Sequence, residues 1–565
     1  MGDDMECPPD GGGTPGTGSA FIQLSFGMAD AQGTRANPDG GEDGDGLEAG
    51  QSNENRVSTA VAFLFDANVS VNGDASTPVT PVYFKSVSPS TGGGTGIDAV
   101  YKTTPVQTTV ENGDYKVIVV ANPGDNRWWE QAENQTLGAV RDHIQQKAWT
   151  ETNGKYTNFL MSSADEPTEK LTINNNSESE PATVTVNVER MAARVDYLAD
   201  NKYTCTDPMY EDATVVITGA TIVNRLTAGS YLLKRVANDV NSKTPEYLGD
   251  ETAANTVATN YVLDPWTALK TQQNLTGTPF IVGGQNVAAA GLYDADTYIP
   301  TRSDNPEDWA DYCKAGATNA TEDGYLRVGY ALENTTDRLS TSLNYNTGIV
   351  FKAQFHPVGV TTGYTDGQTF FTYNGVIYPT LTDMMGQLNG QEDFSTYVGK
   401  KIAALTSWDE LKNFAASITN DPTGYRTYLE EYAVTHSTET FNTANELKWE
   451  YYLSYELGVF ENSQDGPEIN QNGVETRAVL YKSSGEKLRT YYKGQCYYVW
   501  WLRHSNDGDD EKNGVMEYAV VRNNIYKVNV NSIYSLGGDI PDNEGLDAQV
   551  YVNKWSMLDP ETLPM

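Results

Sequence analysis

The segment Ser19-Ala-Phe-Ile-Gln-Leu-Ser-Phe-Gly-Met28 alternates between apolar and small or polar side chains along most of its length. In an extended chain every second side chain points to the same face, so this pattern predicts a β-strand with one buried face. Phe21 is the one large apolar residue on the opposite face. The predicted buried face carries Ala20, Ile22, Leu24, Phe26 and Met28.

The segments on both sides of this strand are rich in glycine and polar residues. Residues 1–18 form a predicted flexible leader of mostly Gly, Pro, Asp and Thr, and residues 29–55 are again polar, with Arg35 as their single basic residue. Linkers of this composition do not pack a core of their own. The strand between them must therefore pair with strands that are distant in sequence.

A second alternating segment lies near the carboxyl end of the chain. A Gly-, Asp- and Pro-containing linker, residues 534–544, precedes it, so the sequence predicts a strand outside the body of the chain. An exposed alternating strand associates with other chains unless it has a designated partner. The apolar residues of this segment are Leu546, Ala548, Val550 and Val552, followed on the other parity by Trp555.

Each of these two strands could occupy the same kind of position, that of a missing edge strand in a β-sandwich. Addition of a strand from another chain completes such an edge, and repeated head to tail it builds an open filament. If both strands compete for one groove, the first must leave. A trypsin-like protease that cuts after Arg35 would separate residues 19–28 from the body. The alternative is that Arg35 is one solvated surface charge.

Composition limits the remaining classes of function. The chain has 565 residues, with 38 Lys and Arg against 76 Asp and Glu, a net charge of −38. This excess of acid argues against nucleic acid as a partner, because phosphate binding needs a basic surface. No apolar run reaches the roughly 18 residues of a membrane-spanning helix. Cys205 and Cys313 are either a disulfide pair or free buried thiols.

The sequence contains no pattern that predicts catalysis, a metal or a cofactor. Its four histidines, His143, His356, His436 and His504, occur singly. There is no HExxH, GxSxG or phosphate-binding loop motif. We therefore predict that the protein is not an enzyme and needs no cofactor.

Strand-forming segments are dense from Arg56 onwards, and the long alternating segment 183–195 predicts a crossing between two units near Glu189–Arg194. The predicted organisation is a leader at 1–18, an amino-terminal β-sandwich at 19–190, a carboxy-terminal β-sandwich at 191–535, and a linker with a donor strand at 536–565. The predicted helices are Trp128–Ala148, Thr380–Leu388 and Ser407–Ile418, the last with a capping-box pattern in Ser407-Trp-Asp-Glu410.

Several segments, taken in their order along the chain, resemble the Bacteroidales fimbrillins, the pilins of type V pili, and among them the shaft subunits of Porphyromonas-type minor fimbriae. The resemblance covers nearly the whole chain, although the long insertions of the second domain match poorly. The segments that carry it are Asp114-Tyr-Lys-Val-Ile-Val-Val-Ala-Asn122, Val188-Glu-Arg-Met-Ala-Ala-Arg194, Tyr497-Tyr-Val-Trp-Trp501, Val520-Val-Arg-Asn-Asn-Ile-Tyr526 and residues 550–555.

This resemblance implies a mainly β fold of two transthyretin-like β-sandwich domains with a few short helices. It implies export as an outer-membrane lipoprotein precursor, and cleavage at Arg35–Ala36 by an Arg-specific protease. The released strand would be residues 19–28, and the donor would be residues 546–558 of a neighbour. The lipid-bearing cysteine of the family is either Cys7 or a residue that Met1 replaces, because Cys7 does not follow an apolar box of small residues.

The predicted function is that of a shaft pilin of a cell-surface fimbria, which polymerises by protease-triggered strand exchange and supports adhesion and biofilm formation, a role in virulence. Its expected partners are copies of itself, accessory fimbrial subunits, the processing protease, and host or bacterial surface receptors. The alternative is a surface lipoprotein or tip adhesin that binds glycans or proteins. A secreted carbohydrate-active enzyme is disfavoured by the lack of a catalytic motif.

Overall fold

A computed structural model of the chain describes residues 19–28, 47–90, 101–226, 229–238, 242, 244–249, 261–265, 280–282, 285–286, 313–318, 324–335, 346–357, 367–457, 488–505, 516–539, 541 and 545–556. The predicted fold class is confirmed, because the described residues form mainly β-strands with a few short helices. The strands gather into one large sheet formed from the first third of the chain, two facing sheets formed mainly from the rest, and several small ribbons.

The first sheet has ten strands around one apolar core. Strands β3 and β8 also bury their second face, which packs on a separate cluster that includes Trp129 and Leu137. The spatial order is β4 (Thr80–Phe84), β3 (Ala60–Asp66), β8 (Gly113–Ala121), β12 (Met161–Ser163), β14 (Ala182–Arg190), β1 (Ala20–Met28), β6 (Tyr101–Thr103) and β5 (Val87–Pro89), with β13 (Leu171–Ile173) beside β8 and β7 (Val106–Thr108) beside β1.

The second core lies between a six-stranded and a four-stranded sheet. The first of these two sheets includes both a short strand from the amino-terminal region and the last strand of the chain. The six-stranded order is β2 (Leu47–Ala49), β33 (Leu546–Ser556), β32 (Asn524–Ile533), β15 (Ala193–Leu198), β26 (Leu326–Ala331) and β25 (Ala317–Thr318); the four-stranded order is β16 (Tyr203–Thr204), β17 (Thr214–Val223), β27 (Gly348–His356) and β31 (Gln495–Trp501).

Small ribbons and helices complete the described structure. The ribbons are β9 (Ile144–Gln145) with β19 (Ser230–Tyr231), β10 (Thr150–Thr152) with β11 (Lys155–Thr157), β18 (Arg225–Leu226) with β23 (Phe280–Val282) and β24 (Gln285–Asn286), β20 (Arg235–Ala237) with β21 (Glu246–Tyr247) and β22 (Tyr261–Val262), and β28 (Phe370–Tyr373) with β29 (Val376–Tyr378) and β30 (Leu488–Tyr491). The α-helices are α1 (Ser52–Asn55), α2 (Leu137–Asp142), α3 (Leu381–Leu388), α4 (Phe394–Ala403), α5 (Trp408–Ser417), α6 (Tyr425–Thr435) and α7 (Trp449–Tyr451). Single 3-10 or π turns occupy Trp128–Glu130, Ala132–Asn134, Asn445–Leu447, Tyr452–Glu456 and Tyr492–Gly494.

Two of the three predicted helices form at the predicted places. Helix α3 follows Thr380 and helix α5 follows Ser407, and each of these hydroxyls accepts a hydrogen bond from a backbone N–H of the first turn. The predicted continuous helix 128–148 is wrong. Thr136 caps a separate helix, α2, whereas Trp128 and Trp129 lie with buried rings in a preceding 3-10 turn, and Ile144–Gln145 forms strand β9.

The predicted crossing segment 183–195 consists of two strands rather than one. Strand β14 belongs to the first sheet and β15 to the second, and Met191 and Ala192 connect them. Both connecting residues are fully buried. The two sheets therefore meet at this crossing, and charged residues of both strands lie in the interface.

Candidate functional site

Strand β1 is an interior strand of the first sheet. It runs parallel to β14 from Ile22, opposite Ala182, to Met28, opposite Val188. Its other edge pairs in antiparallel fashion with β6 and β7. Removal of β1 would therefore open a slot between strands that remain in place.

The side chains of β1 complete the core of the first sheet. The alternation in the sequence correctly identifies the buried face, whose described members, Ala20, Ile22, Leu24 and Phe26, are fully buried. Burial of a large aliphatic or aromatic side chain stabilises a fold by roughly 1.5–3 kcal/mol. A subunit without β1 would expose an apolar groove that needs another occupant. Met28 ends the strand, and its side chain lies outside the described residues, as do Arg35, Ala36 and Cys7.

The tail segment does not lie outside the body of the chain, so that part of the prediction is wrong. Strand β33 pairs with β32 from Leu546, opposite Ile533, to Lys554, opposite Asn524, with one bulge. Leu546, Ala548, Val550 and Val552 are buried in the core of their own molecule. The same alternation that suits an exchanged strand also suits this internal position. The predicted donor role of the strand stays a prediction.

Trp555 is fully buried at the end of β33, where the two cores meet. Its ring stacks on Tyr330 at a centroid distance of 5.8 Å and meets Phe159 edge to face at 5.7 Å. On its other side lies the guanidinium of Arg190, 4.4 Å from the ring centroid. Trp555 thus anchors the tail strand to residues of both halves of the chain.

The segment 47–55 covers this end of the tail strand, although the predicted boundaries placed it in the first domain. Strand β2 runs parallel to β33, with Glu48 opposite Trp555. Helix α1 follows, and the Asn55 side chain accepts a hydrogen bond from Arg190. Residues 47–49 therefore extend the second sheet rather than the first.

Two buried carboxylates fix this segment in place. Glu48 forms ion pairs with Arg194 and with Lys527, the latter at 2.9 Å between Oε2 and Nζ. Glu54, which is fully buried, accepts hydrogen bonds from Arg194 Nη1 at 3.2 Å and from the Tyr330 hydroxyl. Removal of one partner from such a pair is strongly destabilising, since it leaves an uncompensated buried charge.

The electrostatics of this cluster follow from its burial. Burial lowers the pKa of the Arg190 guanidinium to about 10. Burial also raises the pKa of Asp196 to about 6, against the opposing effect of Arg194. Arg194 itself is subject to the lowering effect of burial, but the carboxylates of Asp196, Glu54 and Glu48 outweigh it and raise its pKa.

The sequence alone does not reveal this cluster, because its members are far apart in the chain. Glu48 and Arg194 are separated by 146 positions, and Lys527 lies 479 positions after Glu48. One signal was present. Arg190 and Arg194 flank the short apolar run 191–193 at the crossing, and charged residues that point into a core are expected to have charged partners.

Within the described part of the chain, no group of three or more His, Cys, Asp or Glu residues could hold a metal ion. Cys205, Cys313 and Cys496 are free and buried, so the disulfide alternative is wrong. Among the helices that the structure describes, none is long and apolar enough to span a bilayer.

A polar cleft of about 590 Å³ opens beside the first sheet. Its lining combines amide and hydroxyl side chains with the charged residues Asp125 and Lys147 and with the half-buried rings of Tyr83 and Trp149. Among the lining residues Asn126 and Gln146 are exposed. Hydrogen-bonding groups of this kind beside aromatic rings are suited to polar ligands.

A comparison with protein-family models finds a match in the carboxy-terminal region of the chain. Residues 489–560 match the family model described as major fimbrial subunit protein type IV, fimbrillin, C-terminal. No curated protein matches the sequence. Among solved structures, a fimbrilin from Porphyromonas gingivalis is 12% identical, with a TM-score of 0.36, over 96% of this chain and 98% of the other. The tip fimbrial protein Mfa3 from Porphyromonas gingivalis, with C-terminal truncation, is 9% identical, with a TM-score of 0.30, over 95% and 100%.

The matched region has a defined place in the structure. It begins in β30, includes β31 and β32, and ends just after β33, so it contains the whole antiparallel pair that holds the tail strand. Within residues 489–560, which include this pair, the chain is similar to the carboxy-terminal region of fimbrillins.

Proposed function

We propose that this protein is a structural subunit of a cell-surface fimbria and that it polymerises by exchange of its first strand. The observation that carries the proposal is the interior position of β1 between β14 and the β6–β7 edge. Eighteen residues, 29–46, separate β1 from the next described strand, and Arg35 lies among them. The fimbrillin match of residues 489–560 supports the class of protein.

In this proposal an Arg-specific protease cuts at Arg35–Ala36, and β1 leaves with its leader. The vacated slot then takes the segment 546–558 of a neighbouring subunit. This donor must first leave its own sheet, because it is paired with β32 there. Each subunit would both give and receive a strand, so assembly proceeds head to tail without closing.

The proposal includes a position on the cell surface as an outer-membrane lipoprotein precursor, with Cys7 as one candidate for lipidation. Accessory fimbrial subunits and surface receptors would be further partners. Such a fimbria would serve adhesion and biofilm formation.

Limited trypsin digestion of the purified protein tests the exchange. We expect a single early cut after Arg35, followed by a ladder of oligomers on a non-boiled denaturing gel. The Arg35→Ala variant is the control and should stay monomeric. A wild-type chain that is cut after Arg35 and remains monomeric at high concentration would contradict the proposal.

A synthetic peptide identifies the donor. An excess of residues 546–558 carrying Lys554→Gln, which removes the trypsin site of the peptide itself, is added during digestion and should fill the vacated slots and shorten the ladder. The matched control is the same peptide with Val550→Asp and Val552→Asp, which places charges at two apolar positions. Equal ladders with both peptides would exclude this segment as the donor.

A second candidate function, a glycan-binding adhesin, is favoured by the polar cleft. Sugars stack on aromatic rings and form hydrogen bonds with amides, and both kinds of group line the cleft. Binding of neutral oligosaccharides, measured by calorimetry, should be lost in the Tyr83→Ala and Trp149→Ala variants if the cleft is the site. No binding by the wild-type chain would leave the pilin as the supported function.

A further inference from the structure

The segment 47–55 makes contacts that go beyond ordinary edge pairing. It is the first described segment after the stretch that contains Arg35, and it would stay attached to the body after cleavage there. Its strand, β2, forms the outer edge of the sheet next to β33. We call this segment the latch.

The latch contacts the tail strand where β33 ends. Glu48 pairs in register with Trp555 and accepts a hydrogen bond from Asn553 Nδ2 at 3.4 Å. Glu54 contributes its backbone carbonyl, which accepts from Arg190 Nε at 3.3 Å. Arg190 in turn donates Nη1–H to the carbonyl of Trp555 at 3.0 Å. The latch thus contacts Trp555 directly through Glu48 and indirectly through Arg190, which Glu54 binds.

The same latch residues are held by the body of the molecule. Arg194, on β15, binds both Glu48 and Glu54. Lys527, on β32, binds Glu48. These ion pairs are buried, so solvent screens them weakly. Displacement of the latch would break all of these ion pairs at once. We therefore expect the latch to be either fully seated or fully displaced.

At the end of β33, two buried polar groups lack hydrogen-bond partners among the described residues. These groups are the indole N–H of Trp555 and the side-chain oxygen of Asn553. A buried polar group without a partner favours the state in which water reaches it. The strand end is therefore held by the latch and Arg190 in a position that its own polar groups disfavour.

We propose that residues 47–55 are a latch that keeps β33 in its own subunit and sets the rate at which this strand is released. The inference rests on the proposed function in one respect, since release of β33 matters for assembly only if β33 is the exchanged donor. The latch itself is a property of the single subunit. Cleavage after Arg35 would open the acceptor slot, whereas opening of the latch would free the donor.

Gly50 offers a local way to disturb the latch without removing a charge. A Cβ atom at this position would lie 2.7 Å from Trp555 Nε1 and 2.9 Å from Arg190 Nη2, and closer still to the Asn55 side chain. The indole is enclosed between Tyr330 and Arg190 and has little room to move. Gly50→Ala should therefore push the latch away from the strand end. Gly399→Ala is the matched control, because a Cβ at Gly399 meets no atom within 4 Å.

Hydrogen exchange of the full, uncleaved chain, read by mass spectrometry, tests the latch. In Gly50→Ala we expect amides of residues 546–556 to exchange at least tenfold faster than in wild type, while residues 20–28 and the Gly399→Ala chain stay unchanged. The double variant Gly50→Ala with Trp555→Phe, whose smaller ring makes room, should return towards the exchange of Trp555→Phe alone. Unchanged exchange at 546–556, or an equal increase in every strand, would overturn the proposal.

Trypsin digestion of the same variants separates this inference from the proposed function. Faster ladder formation by Gly50→Ala than by Gly399→Ala supports both. Faster exchange at 546–556 with no ladder in any variant would refute strand exchange as the function and leave the latch standing. Ladders that form at equal rates despite faster exchange would refute the latch as the control of release.

Discussion

The guanidinium of Arg190 lies over the indole of Trp555, 4.4 Å from the ring centroid, and donates Nη1–H to the Trp555 carbonyl at 3.0 Å. The two residues are 365 positions apart. Arg190 ends the last strand of the first sheet, and Trp555 lies near the end of the chain. This contact joins the first sheet to the tail strand of the six-stranded sheet. Because it is buried, its cation–π interaction is stronger than an exposed one of the same geometry.

Trp555→Ala should lower the free energy of unfolding by about 3–5 kcal/mol, because it leaves a large cavity between Phe159, Tyr330 and Arg190. Urea titration followed by circular dichroism measures the change. Val434→Ala is the control, since Val434 is 62% exposed and should change stability little. A loss below about 1 kcal/mol for Trp555→Ala would show that Trp555 does not anchor the tail.

Phe26→Ala should destabilise the uncleaved chain by about 3–5 kcal/mol, because Phe26 is fully buried in the first core. The polymer formed after cleavage should be as resistant to urea as the wild-type polymer, since it would no longer contain β1. Ser25→Ala, on the other face of the strand, serves as the control. A weakened Phe26→Ala polymer would mean that β1 remains in the assembled subunit.

Ionisation of Asp196 should lower the free energy of unfolding of the protein as pH rises from about 4 to 6. Its pKa is raised to about 6 by burial, from 3.8, so the folded state keeps a proton that the unfolded state has already released in this range. The free energy of unfolding of wild type, relative to that of Asp196→Asn, should therefore fall by about 2 kcal/mol between pH 4 and pH 7. Urea titrations at these two values measure it. A wild type that gains stability relative to Asp196→Asn as pH rises would show that pairing with Arg194 outweighs burial.

The three described cysteines should resist alkylation in the folded protein. Burial raises the pKa of Cys205 to about 11 and those of Cys313 and Cys496 to about 12. The reactive thiolate is then scarce at pH 8, and the side chains are also shielded. Iodoacetamide followed by peptide mapping should label these residues in urea but not in buffer. Rapid labelling of Cys313 in buffer would contradict its buried position.

Several features were predicted correctly because they depend on neighbours in sequence. The period-2 alternation from Ala20 to Phe26 identifies the buried face of β1. The hydroxyls of Thr380 and Ser407 mark the starts of α3 and α5. The prediction failed between Trp128 and Ala148, where apolar spacing favours one helix but the chain forms 3-10 turns, α2 and β9 instead.

The sequence by itself determined that residues 20–28 and 546–552 are strands, which of their faces are apolar, and that the chain is strongly acidic. Only the tertiary structure decided which strands are neighbours. Residues 546–552 alternate equally well for a partner in their own chain or in another, because strand pairing uses backbone groups that every residue shares. The placement of Glu48 and Glu54 against Arg194 likewise required the fold, since a buried charge selects its partner by distance in space and not along the chain.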